Sequence, residues 1–166
     1  SAIESNDPVI FMEPKRIYRA IKQEVSEEKL TIPLGKANIL SRGENLTIVS
    51  YGAMIREVQK AIVIAKHNNI SAELIDLRSI FPIDRETIAN SVKKTGRMLF
   101  VNEGPASFGV GAEIISIVNE EVFLSLEAPP VRLSGFDTII PLPIGEHFYQ
   151  NDPLRIYYEI EKLVNF

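Results

Sequence analysis

From residue 47 onward, short apolar runs alternate with amphipathic stretches of helical length, and this alternation leaves few architectures open. Thr47-Ile48-Val49-Ser50-Tyr51 is an extended apolar run ending at Gly52. Across residues 53–68, Met54, Val58, Ile62 and Ala65 share one helical face, with Lys and Glu opposite. Ala72 to Leu77 reads as the next strand. Asp84 is placed to cap a helix that runs to Lys94 and stops at Gly96. Met98 to Val101 is a third strand, residues 109–123 a third helix, and Val131-Arg132-Leu133 a fourth strand. Asp152 and Pro153 open a last helix as its cap and first residue. Parallel strands need long crossovers, which cover both faces of the sheet. The expected fold class is therefore α/β, a three-layer α/β/α sandwich with a mostly parallel sheet. Ala37 to Leu40 is expected to add one antiparallel edge strand. It and Leu46 to Ser50 flank Ser41-Arg42-Gly43-Glu44-Asn45, a turn-rich loop suited to a hairpin.

The first part of the chain is less regular. Val9-Ile10-Phe11-Met12 reads as a short buried strand closed by Glu13-Pro14, and the basic, mixed segment Lys15 to Lys29 reads as a linker or surface arm. The start, Ser1-Ala2-Ile3-Glu4, has neither a signal-peptide pattern nor an initiator Met, so the chain is expected to be cut from something longer. With 166 residues there is enough chain for one ordinary core. A net charge of −4 argues against a general nucleic-acid binder, which carries a basic face. No apolar stretch approaches the roughly 18 residues of a membrane span. Cysteine is absent, which excludes disulfides, cysteinyl metal sites and a thiol nucleophile, and fits an intracellular protein.

Single motifs do not yield a catalytic site. Gly109-Val110-Gly111 follows an apolar run and opens a helix, as in a dinucleotide fingerprint, but Ile114 stands where the third glycine belongs. The acid about twenty positions on, Glu127, sits in a Pro-rich turn instead of at a strand end. Small residues that let a helix start pack closely are the simpler account. Ser107 lacks the Gly-x-Ser-x-Gly elbow of a serine hydrolase. His67 reads as a solvated residue at a helix end, and His147 as a loop residue with one neighbouring acid, too few ligands for a metal. Glu103 is the one acid at the end of a predicted strand, where α/β proteins build sites; an acid/base role competes there with a capping or interface carboxylate.

Taken together, several segments point further. "DPVIFMEPKRIYR", "IPLGKA", "TIVSYGAMIREV", "ELIDLRSIFPID", "SVKKTGRMLFVNEG", "FGVGAEI", "LEAPPVRLSGFDTIIP" and the ending "KLVNF" occur in order across nearly the whole chain. In this order they resemble the beta subunit of the thiamine-diphosphate-dependent decarboxylase component of 2-oxoacid dehydrogenase complexes. "EPKRIYR" and "FLSLEAP" look closest to the branched-chain type, with pyruvate as the other substrate. The resemblance divides the chain into residues 1–13, the tail of a preceding pyrimidine-binding domain; 14–35, a linker or arm; and 36–166, a transketolase-type C-terminal domain. The sequence departs from the family at Ile139 in "GFDTIIPLP", where relatives often have Pro one position after Asp-Thr.

The resemblance implies a division of labour. Thiamine diphosphate and Mg would serve the full enzyme, with no catalytic, cofactor or metal residue in this segment. A potassium ion held by some relatives would fall near Ala2, Ser5 and Asp7. The implied partners are an alpha subunit, a second beta subunit and the small basic subunit-binding domain of the dihydrolipoyl acyltransferase, with no nucleic acid and no membrane. A homodimer of the segment alone is also expected. Glu127 and the terminal carboxylate of Phe166 match residues that dock the acyltransferase; Gly109, Gly111, Arg78 and Glu103 match packing or subunit-contact positions. Localisation follows as cytoplasmic, or the mitochondrial matrix if the source is eukaryotic. The alternatives are a C-terminal domain of a transketolase or deoxyxylulose-phosphate synthase relative, and a free-standing nucleotide- or acyl-binding α/β module.

Overall fold

The computed structural model describes every residue except Gln23, Ser26 and Lys29, and only the backbone of Pro143. Part of the predicted arm, including its Lys29 end, thus lies outside the described residues. Five strands form one sheet: β1 (Asn38–Ser41), β2 (Leu46–Ser50), β3 (Ala72–Asp76), β4 (Met98–Pro105) and β5 (Val131–Gly135). Among the described residues five α-helices accompany them: α1 (Met54–His67), α2 (Arg85–Thr95), α3 (Val110–Val122), α4 (Pro143–Tyr149) and α5 (Pro153–Val164). The strand order is β1-β3-β2-β4-β5, with β1 antiparallel to β3 and every other pair parallel.

Strand periodicity divides the core between the two faces. Leu46, Ile48, Leu74, Leu99 and Val101 pack with Met54, Val58 and Ala61 of α1 and Ile156, Ile160 and Leu163 of α5. Val49, Ile75, Met98 and Phe100 pack with Ile88 and Val92 of α2 and Ile114 and Val118 of α3. The central strands are buried on both sides, which is why β2 and the start of β4 read as continuous apolar runs. Each fully buried Leu, Ile or Phe contributes about 1.5–3 kcal/mol relative to exposure.

Helix ends follow the local signals. The Asp84 carboxylate accepts from the Thr87 N–H, and Gly96 closes α2 in the left-handed region (φ 69°). Asp152 caps α5 by accepting from the Arg155 N–H. On the α2 face, Thr47 sits within 2.7 Å of the Ser91 hydroxyl and 2.8 Å of that of Thr95, and Ser91 donates to Glu73. This buried polar chain locks α2 onto β2 and β3 at one register.

Three expectations need correction. The edge strand is antiparallel as expected, but it pairs with β3 and makes no hairpin with β2. Both sides of β2 are already taken by β3 and β4, which leaves no ladder for its neighbour in sequence. Val9 to Met12 form no strand and are exposed, Ile10 at 89%, and they join no ladder of the sheet. His147 belongs to the short helix α4 instead of a loop.

Candidate functional site

The chain leaves β2 toward β3 on one side and β4 toward β5 on the other, so the carboxyl ends of β2 and β4 form the switch point where open α/β sheets bind ligands. Tyr51, Gly52, Asn102 and Glu103 line it. Burial pushes the Tyr51 phenol above its usual range; a hydrogen bond with Asn102 opposes this and the Glu103 charge adds to it. The arm packs here, with Pro14 against Gly52 and Arg16 3.8 Å from Glu57. Beside it lies an open cleft of about 490 Å³ lined by Lys15, Arg16, Glu146, His147 and Gln150. Glu103 is exposed on the last part of β4, which continues beyond the predicted strand to Pro105. Among the described residues no three His, Cys, Asp or Glu side chains converge as a metal site.

The glycine loop is a packing device within the chain. A Cβ on Gly111 would lie 2.5 Å from Phe100 Cδ1 and 3.1 Å from Arg132 Cδ, so only Gly lets α3 settle on β4 and β5. Gly109, with extended backbone, precedes α3 and sits against the Pro105 carbonyl. The loop before it is braced by Asp137, whose carboxylate accepts from the Ser107 N–H (2.9 Å) and hydroxyl (2.7 Å). Those bonds hold Asp137 below the usual carboxylate range. Arg132 adds a bond to the Ala106 carbonyl. The brace presents Phe108, fully exposed at positive φ (56°), to solvent. Asp137 was visible in the sequence only as part of "GFDT", with nothing local to mark its partner.

Glu127 is not a free acid. Arg97 Nη1 donates to its Oε2 (2.5 Å), and Arg97 Nε donates to the Leu163 carbonyl near the end of α5 (3.0 Å). The structure therefore brings Glu127 and the chain segment leading to Phe166 together through a residue that sequence reading passed over. Phe166 itself is 77% exposed. Arg78, exposed at positive φ (56°), turns the chain after β3; its N–H donates to Asp76. Burial raises the Asp76 pKa against that bond and the Arg78 charge. Near the start, Ser5 N–H donates to the Ala2 carbonyl and Asp7 N–H to Ser5 Oγ, so the residues expected near a potassium ion form a local turn.

Residues 35–156 match the family model for the transketolase C-terminal domain. The chain is 52% identical over 163 residues to the pyruvate dehydrogenase E1 component subunit beta of Acholeplasma laidlawii, covering 98% of this chain and 50% of that protein. The corresponding subunit of Mycoplasma pneumoniae is 46% identical over 99% of the chain and 50% of its own length. That of Bacillus subtilis is 40% identical over the whole chain and 51% of its own length. The chain thus spans about half the length of the curated relatives it matches. These relatives are named for pyruvate, and nothing in them singles out the branched-chain type. In fold, it superposes on a split gene transketolase, solved as an inactive beta4 tetramer, with TM-score 0.72 and 23% identity over 86% of this chain and 46% of that one. With the family model covering most of it and this run of relatives behind it, the chain belongs to the transketolase C-terminal domain family, in the branch of 2-oxoacid dehydrogenase E1 beta subunits.

Proposed function

We propose that this chain is the C-terminal half of an E1 beta subunit and serves assembly and docking. The full alpha–beta enzyme would decarboxylate a 2-oxoacid, with pyruvate preferred, on thiamine diphosphate and acylate lipoyl groups. Mg would accompany the cofactor in the parts contributed by other chain segments, and potassium would belong with the rest of the pyrimidine-binding domain if the turn at Ala2, Ser5 and Asp7 recruits further oxygens. The whole enzyme would work in the bacterial cytoplasm; among the described residues no helix is long and apolar enough to cross a membrane.

The observation that carries this reading is the 52% identity that runs through nearly the entire chain. The surface agrees with it. Phe108, Ile139, Leu142, Ile144 and Phe148 are each 75% exposed or more around the carboxyl end of the sheet. Side chains of this size left open together mark a surface meant for other protein. In the same reading Glu103 and Arg78 face neighbouring subunits, while Glu127 and Phe166 meet the basic subunit-binding domain of the acyltransferase. Complementary charge there would act chiefly on encounter and register.

The test is reconstitution of the complete beta polypeptide containing this segment with its alpha subunit. Thiamine-diphosphate-dependent decarboxylation is expected with pyruvate ahead of branched-chain 2-oxoacids, and none from the segment alone. Turnover by the isolated segment, or none from the assembled pair on any 2-oxoacid, would remove the reading.

A further inference from the structure

The surroundings of Glu127 are more constructed than an exposed turn requires. Its side chain lies across Gly96, where a Cβ would come within 2.7 Å of Glu127 Cγ and 2.8 Å of Cδ. Its own N–H donates to the Gly96 carbonyl at 2.7 Å. The next residue, Arg97, then splits its guanidinium between two elements, giving Nη1 to Glu127 Oε2 and Nε to the Leu163 carbonyl of α5. Carbonyls in the last turn of a helix have no helical N–H to accept, so this bond fills a vacant position.

Exposure is unequal within the pair. The Arg97 side chain is 21% exposed and that of Glu127 61%. The cation is sheltered behind the acid, and an approaching cation meets the carboxylate first. A planar guanidinium has donors in fixed directions and can hold two acceptors together; a lysine ammonium is a single point of charge.

We propose that Arg97 is the positioning residue of the docking face, holding Glu127 and the end of α5 in the one arrangement that a small basic protein domain engages. The proposal rests on the docking reading above. Its energetic basis is preorganisation: a long side chain already fixed before binding has less freedom left to lose. Arg97 therefore strengthens binding of a cationic partner although it carries the same sign of charge.

The experiment uses the assembled alpha–beta enzyme and the isolated subunit-binding domain of the acyltransferase, with affinity measured by calorimetry at two salt concentrations. The variants are Glu127→Gln, Arg97→Gln, Arg97→Lys and the double variant Arg97→Gln/Glu127→Gln, each with its thermal midpoint recorded. Arg97→Gln is expected to weaken binding about three- to tenfold, the range set by immobilising one rotamer-rich side chain. Arg97→Lys should fall nearly as far, and the double variant should bind no worse than Glu127→Gln alone, with the same reduced salt dependence. Such non-additivity is the sign of two groups acting through one contact, and a general loss of fold would not produce it. Binding by Arg97→Gln equal to or tighter than wild type, while Glu127→Gln binds weakly, overturns the proposal and leaves docking at Glu127 standing. Unchanged binding by Glu127→Gln removes the docking reading, and this proposal with it. If Arg97→Gln does not fold, Arg97→Lys decides: affinity like wild type overturns the proposal and a fall supports it.

Discussion

At Gly111, the first turn of α3 crosses the Phe100 ring, and the fit leaves no room for a methyl group. Phe100 is fully buried in the β4 row facing α2 and α3, so it has no space into which to retreat. Gly111→Ala should therefore destabilise the fold by about 1–3 kcal/mol, the usual cost of overpacking a filled core, despite the better helix propensity of Ala. Urea denaturation of both proteins measures it; equal midpoints would mean that α3 shifts freely on the sheet. The sequence showed that a small residue was needed at this helix start, since Ile114 ruled out the nucleotide fingerprint. It did not show that the neighbour is Phe100 of the same chain, because the contact joins residues whose spacing carries no periodic signal. Arg97 was hidden for a related reason. Its two acceptors, Glu127 and Leu163, are distant in sequence, and a surface Arg after a glycine cap looks ordinary.

Elements were legible where local chemistry and burial agreed. The capping of α2 by Asp84 is one case, and it extends beyond the helix: Asp84 also accepts from the Ala37 N–H (3.0 Å) and the Thr87 hydroxyl (2.9 Å), tying the approach to β1 to α2. Helix α4 was not legible, since its seven residues direct Ile144 and Phe148 outward and bury Tyr149, leaving no apolar stripe toward the chain's own core. The hairpin misreading has a similar origin. A local loop favours pairing adjacent runs, but the uniform burial of β2 marks it as a central strand flanked by parallel partners. Burial alone would raise the Asp84 pKa, yet the bonds from Ala37 and Thr87 and the Lys36 charge hold it below the usual range. Burial likewise opposes, and Lys94, Ser91 and the Gly43 N–H outweigh it, at Glu73. Both carboxylates therefore take up protons more readily in the unfolded chain. Their stabilisation is complete above the unfolded values, near pH 4, and is lost as pH falls through the lower folded ones. Asp76, raised by burial, acts the opposite way, contributing most at low pH and less as pH rises through its folded value. Asp84→Ala should cost about 1–3 kcal/mol at neutral pH through the lost cap and the freed Ala37 N–H. The difference from wild type should shrink as pH falls below about 4, the ordinary carboxylate value. Denaturation midpoints across this range test both statements; a constant difference would refute the link to ionisation.

At the scale of the whole molecule, the surface is too large for the mass. A compact monomer of 18.6 kDa exposes about 8,200 Å², whereas this chain exposes 10824 Å². Part of the excess belongs to the start of the chain, where Ile10, Phe11 and Met12 are exposed. The rest includes the apolar rim at the carboxyl end of the sheet, where Ile139 is 91% and Leu142 84% exposed. The difference of roughly 2,600 Å² on one chain is more than the roughly 800 Å² that each partner of a standard interface buries. On its own, the chain should cover such a rim with another copy of itself, and self-complementary patches most often pair about a two-fold axis. Sedimentation of the purified chain should show mass above the monomer, increasing with concentration. Ile139→Asp combined with Leu142→Asp should move it to monomer while leaving the thermal midpoint within a few degrees, because neither side chain contributes to the chain's own core. A wild-type monomer at high micromolar concentration would mean that the open rim is insufficient for association. An unchanged oligomer in the double variant would place the contact elsewhere, on another exposed apolar stretch such as Ile10 to Met12 or Phe123 and Leu124.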